Sequence, residues 1–198
     1  MNMSARVFTG VGLMGLMTLG APAAAIDVQP TPVQIATALE RGNAAAASRT
    51  PPDRLYAWFG SSQELEPRGF LMTKIAGLRV LATHFALRGQ TPTDSDIRRI
   101  LDDEVLLISV TLFGDRPTFA VDSYMLLFQS GHTLKPAKVR FDGQATRTAV
   151  WPQRPAYQAK VVAAFRYADL IPDAKTRLSV FPPDGGEISF DLDFATIE

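Results

Sequence analysis

Glu187-Ile188-Ser189-Phe190-Asp191-Leu192-Asp193-Phe194 puts Ile188, Phe190, Leu192 and Phe194 on one side of an extended chain, and Glu187, Ser189, Asp191 and Asp193 on the other. Successive side chains of a strand point to opposite faces, so this is a strand with one buried and one wet side. That alternation belongs to an antiparallel sheet covered on one face only. Just before it, Pro182-Pro183-Asp184-Gly185-Gly186 is a strong break.

Working back towards residue 105, the same grammar repeats. Residues 105–113 are β-branched and apolar, and Gly114-Asp115 starts a turn. Residues 118–129 read as the next strand, broken by Ser130-Gly131. In 136–141, Val139 and Phe141 alternate with Lys138 and Arg140, and Asp142-Gly143 turns the chain. Segments 160–167 and 176–181 are two more strands. Six strands with turn signals between them predict an antiparallel, immunoglobulin-like β-sandwich over 105–198, without the Cys–Trp–Cys core of antibody domains.

Before residue 105 the periodicity is helical. Ile35 and Leu39 stand one turn apart in 33–40, a helix expected to end at Gly42-Asn43, with Ala44 to Ala47 continuing or restarting it. Thr50-Pro51-Pro52 stops it, because proline drives its predecessor out of the helical region. Residues 54–59 are aromatic and fit either a strand or a turn of helix. Leu71, Ile75, Leu78, Ala82 and Phe85 are spaced four, three, four, three, one apolar stripe of a helix. Thr73 is its expected N-cap, Gly89 its C-terminal glycine and Pro92 its stop; a strand with two apolar faces is the rival reading. Lys74 carries the wrong charge for the start of a helix, whereas His84 and Arg88 suit its end. A shorter helix starts at Thr93, with Asp96 three residues on and Ile97, Ile100 and Leu101 inward. The fold expected is therefore α+β: a helical part, 26–104, packed on a β-sandwich part, 105–198, as one compact domain.

Residues 1–25 read as an address. Arg6 is the only charge before Asp27, an apolar run fills 7–21, and Ala23-Ala24-Ala25 offers the small residues that a signal peptidase reads. The run is short for a membrane span, which needs about 20 apolar residues, and an uncleaved anchor is the rival reading. Cleavage after Ala25 would leave Ile26 as the first residue of a periplasmic or extracellular protein with no transmembrane span.

Lysines and arginines number 20, as do aspartates and glutamates, and cysteine is absent. Charge balance argues against a nucleic-acid binder, and the missing thiols exclude Cys nucleophiles, thiolate metal sites and disulfides. His84 and His132 are isolated, no catalytic motif surrounds a serine, and no cofactor is expected. The carboxylates Asp94, Asp96, Asp102, Asp103, Glu104, Asp191 and Asp193 have structural reasons to exist at helix ends and on a wet strand face. Lys135, Lys138, Arg140, Arg147, Arg154, Lys160 and Arg166 face only Asp142 in sequence, and are expected to lie beside the acidic last strand as cross-strand pairs. The rival is a basic face for an anionic partner.

The function expected is that of a non-catalytic binding or structural protein of the cell envelope, acting through sandwich edges or faces. Its partner would be an envelope protein or a polysaccharide. A carbohydrate-binding module using Trp151, Tyr157 and Trp58 is the alternative, although both tryptophans are expected to plug the core. A carboxylate-dependent hydrolase is weaker still.

Overall fold

The computed structural model describes residues 26–197; the leader reading of 1–25 lies outside them. Three α-helices and two antiparallel sheets make an α+β fold. Helix α1 spans Pro32–Ala47, α2 Lys74–Ala86 and α3 Asp94–Leu101. The strands are β1 (Ala57–Gly60), β2 (Arg68–Met72), β3 (Val105–Gly114), β4 (Tyr124–Gln129) and β5 (His132–Leu134). They continue with β6 (Lys138–Phe141), β7 (Thr146–Arg147), β8 (Tyr157–Arg166), β9 (Lys175–Phe181) and β10 (Ile188–Asp193). One sheet runs β1-β2-β3-β8-β6, with β7 also on β8; the other runs β10-β9-β4-β5.

Alternation decides what each strand buries. Leu106, Ile108, Val110 and Leu112 of β3 and Val161, Ala163 and Phe165 of β8 face inward from the first sheet. Met125 and Leu127 of β4, Leu178 and Val180 of β9 and Leu192 of β10 meet them from the second, in one apolar cluster. Buried Gln129, at the end of β4, is fully paired: Nε2 donates to Thr176 Oγ1 (2.7 Å) and Oε1 accepts from the Ile171 N–H (3.0 Å). A buried amide is tolerated because its donors and acceptor are matched.

Several boundaries differ from the sequence reading, each for a local reason. Leu71 is not on the helical stripe: Thr73 caps α2, so Leu71, two residues before the cap, is buried in β2. The part expected to be helical thus holds two strands, and 54–59 divides into a 3-10 turn, Pro52–Leu55, and β1. Gly42 does not end α1, which runs on to Ala47. Its glycine serves a close helix crossing, where Thr83 Oγ1 of α2 donates to the Gly42 carbonyl at 2.9 Å. Residues 118–122 are turns, and the strand begins only at Tyr124.

The helices form a second, smaller apolar cluster of Ala38, Ile75 and Leu78, joined by Ile35, Leu39, Ile97, Ile100 and Leu101. Lys74, misplaced for its own helix, makes sense from the neighbouring one. Its Nζ donates to the C-terminal carbonyl of Leu101 in α3 and lies 5.3 Å over the Tyr167 ring. Burial pushes the Tyr167 phenol well above its ordinary pKa, so the ring stays neutral beneath the ammonium. Lys74→Ala should cost about 1.5–3 kcal/mol, the range for a hydrogen bond to a charged group. The urea midpoint measures it, and Lys74→Met, which keeps the packing, should recover only part. An unchanged midpoint in both variants would show that the ammonium contributes nothing.

Candidate binding face

The outward side of the six-stranded sheet follows from the register. Because Ile108 and Val110 point inward, Ser109 and Thr111 point outward, and residues directly opposite them share that face. Phe70 and Arg68 of β2 stand opposite Ser109 and Thr111, and Trp58 of β1 stands opposite Phe70. On the other flank, Val162 and Lys160 of β8 pair with the same two residues, and Arg140 and Lys138 of β6 pair with Val162 and Ala164. An aromatic end at β1–β2 therefore passes into a basic end at β8–β6.

The aromatic end is organised. Tyr56 stacks on Phe70 at 4.4 Å between centroids and 19° between planes. Trp58 tilts against the same ring at 5.3 Å and 58°. The Trp58 indole N–H donates to the Asp53 carbonyl at 2.6 Å, which fixes the ring while leaving it 46% exposed. The Arg68 guanidinium stands 6.0 Å from its centroid, within cation–π range. Together these residues line a recess of about 720 Å³ that continues over Thr111, Gln158 and Lys160 to Asp142 and Thr146. That is a normal size for a ligand site. Trp58 also lines two adjoining recesses.

The three aromatic residues expected at a ligand face are not brought together. Trp58 lines the recess; Trp151 and Tyr157 do not. Trp151 lies in the turn between β7 and β8, 44% exposed, with the Arg147 guanidinium 4.0 Å from its ring centroid. Tyr157 packs against the main core. Neither tryptophan is a core plug, because both side chains are exposed, Trp58 on the first strand of its sheet and Trp151 in a turn. Phe70 and Arg68 carry no sequence signal of a site, whereas Tyr56 belongs to the aromatic run at 54–59 and Lys160 to the basic segment.

The cross-strand charge pairing expected of the basic segment is also corrected. β6 and β8 lie in one sheet and acidic β10 in the other, where Arg177 of β9 pairs with Asp191 at 3.0 Å. A somewhat larger recess, about 810 Å³, lies over that second sheet, but its charges are largely engaged: Asp191 with Arg177, and Glu187 with the Ser179 hydroxyl at 2.5 Å. Asp193 caps the Ala195 N–H at 3.1 Å. Asp96 closes the Thr93 capping box, and the Thr93 hydroxyl and N–H hold its carboxyl below the usual range. Among the described residues no three His, Asp or Glu side chains stand together as a metal site would need. His84 and His132 are both exposed and far apart in the chain order, on α2 and β5.

No protein-family model, curated protein or solved structure matches this chain.

Proposed function

We propose that this is an exported, non-catalytic binding protein of the cell envelope that takes a polysaccharide across the outer face of its six-stranded sheet. The observation that supports this best is the fixed Trp58–Phe70–Tyr56 cluster at one end of an open recess. Rings held in place by packing and a hydrogen bond offer a flat apolar surface at little entropic cost, which suits the face of a pyranose. Export rests on Arg6, the apolar run and Ala23-Ala24-Ala25. No described helix is long and apolar enough to cross a membrane. The scaffold that goes with this reading is an immunoglobulin-like sandwich with helices at its side. Its support is the single core drawn from both sheets, while the placement of α2 and α3 between paired strands β2 and β3 is an addition to that plan.

A face serves this function better than an edge. β5, β6 and β7 are short, and β6 carries Lys138 and Arg140, a pattern that discourages strand addition. β1 and β10 meet each other through Phe59 and Phe190, 5.0 Å apart edge to face.

Trp58→Ala should weaken polysaccharide binding by about 2 kcal/mol or more, the range of a central aromatic anchor. Trp151→Ala should leave the affinity within about 0.5 kcal/mol of the starting protein. Titration calorimetry with polysaccharide measures both, since it needs no tryptophan at the site. If Trp151→Ala removes binding and Trp58→Ala does not, the ligand sits on the β7–β8 turn and the recess is not the site.

A further inference from the structure

We infer that the ligand of this face is an acidic polysaccharide, one bearing a carboxylate or sulfate on its sugar units. This rests on the polysaccharide-binding reading above and adds the charge of the ligand to it. Arg68, Lys160, Arg140 and Lys138 share the outer face by register. None of the four is in an ion pair with a described carboxylate. Exposed Lys138, Arg140 and Lys160 with half-buried Arg68, gathered on one side of a near-neutral protein, set up a local positive potential that the total charge of zero conceals. Two acids, Asp53 and Asp142, line the same recess, and one oxygen of Asp142 is occupied by the Lys160 backbone N–H at 2.8 Å.

Spacing favours a polymer over a small anion. Neighbouring strands lie about 4.8 Å apart, so Arg68 and Lys160, two strands apart, are separated by about 10 Å at the backbone. Trp58 and Arg140, four strands apart on one row, are separated by about 19 Å. A single small anion cannot touch both ends of such a row. A chain lying across the strands can stack one sugar on Trp58 and Phe70 while its acidic groups meet Arg68, Lys160 and Arg140 in turn. Arginine suits carboxylate and sulfate oxygens through paired hydrogen bonds. A lipid surface is the poorer fit, because the aromatic rings line a recess and do not project from the face as a membrane anchor would.

The purified protein is titrated with polygalacturonate, with neutral amylose of matched length, and with phosphatidylglycerol vesicles. Polygalacturonate should bind at least about tenfold tighter than amylose at low salt, and the preference should shrink at 1 M salt, where the Debye length falls to about 3 Å. Arg68→Gln/Lys160→Gln should lose about tenfold or more in polygalacturonate affinity and far less in amylose affinity, with circular dichroism showing the fold retained. Arg98→Gln/Arg99→Gln removes the same charge from exposed positions on α3 and should change neither affinity. Equal binding of the two polymers would overturn the acidic specificity and leave the polysaccharide reading standing. Binding of neither polymer would overturn both. Binding of vesicles without polygalacturonate, or equal losses in the α3 variant, would also overturn the inference.

Discussion

Leu78→Asp should unfold the helical layer and lower the thermal midpoint until little folded protein remains at 25 °C. Leu78 is 0% exposed, between Ala38 and Ile75 and beside Ile97, Ile100 and Leu101. Truncating a buried leucine costs about 2–5 kcal/mol before any charge is considered. A carboxylate left there without a partner adds several kcal/mol more, whether it stays ionised or takes up a proton to remain in the apolar cluster. Total stability for a domain of this kind is about 5–15 kcal/mol, so the change approaches the whole of it. Circular dichroism at 222 nm against temperature reads the outcome. Because Thr73 joins α2 directly to β2, the loss should carry the Phe70 end of the binding face with it. A Leu78→Asp protein that melts like the original would mean α2 does not turn Leu78 towards its partners.

Gly42→Val should be the most damaging change at the surface between α1 and α2. A Cβ on Gly42 would lie 2.3 Å from the Arg79 carbonyl oxygen and 2.7 Å from the Ala82 Cβ, so even alanine forces the helices apart. Parting them lengthens the Thr83–Gly42 hydrogen bond and opens the layer around Ala38. Overpacking costs about 1–3 kcal/mol, and the lost hydrogen bond about 0.5–1.5 more. The sum expected is about 2–4 kcal/mol in valine, read as a fall in the urea midpoint at constant slope. Gly143→Ala is the matched control, since nothing stands within 4 Å of a Cβ there. If both variants shift the midpoint equally, the crossing is looser than its geometry implies.

Much of the fold was legible wherever one physical signal acted alone. The alternation of 187–194 gave β10, and the capping residues Thr73 and Thr93 gave the starts of α2 and α3. Errors arose where two signals overlapped. Leu71 lies four residues before Ile75, which is helical spacing, yet the cap at Thr73 cuts between them. Gly42 followed by Asn43 carries the chemistry of a helix end, but glycine is equally the residue for a close crossing, and only the partner helix tells the two apart. The binding face was the least legible part. Trp58, Phe70, Thr111 and Lys160 are adjacent only through three separate ladders, and cross-strand register is not a local property of any of the segments. The basic segment is legible as a run of charge, but the strands beside it are not, because β10 joins the other sheet through its ladder with β9.

The central ladder also bears on the order of folding. β3 pairs along its whole length with β8, Val105 opposite Arg166 and Gly114 opposite Tyr157. β4, β5, β6 and β7 all lie between them in the chain, and two of these belong to the other sheet. Joining such distant segments costs loop-closure entropy before the contacts form, which places folding in the millisecond-to-second range typical of non-local β topologies. During synthesis, β1, β2 and β3 emerge first and can pair among themselves, but the far side of β3 stays bare until Arg166 has left the ribosome. Until then the chain displays an unpaired ten-residue edge rich in leucine, isoleucine and valine, the form in which it is most open to a chaperone and most prone to self-association.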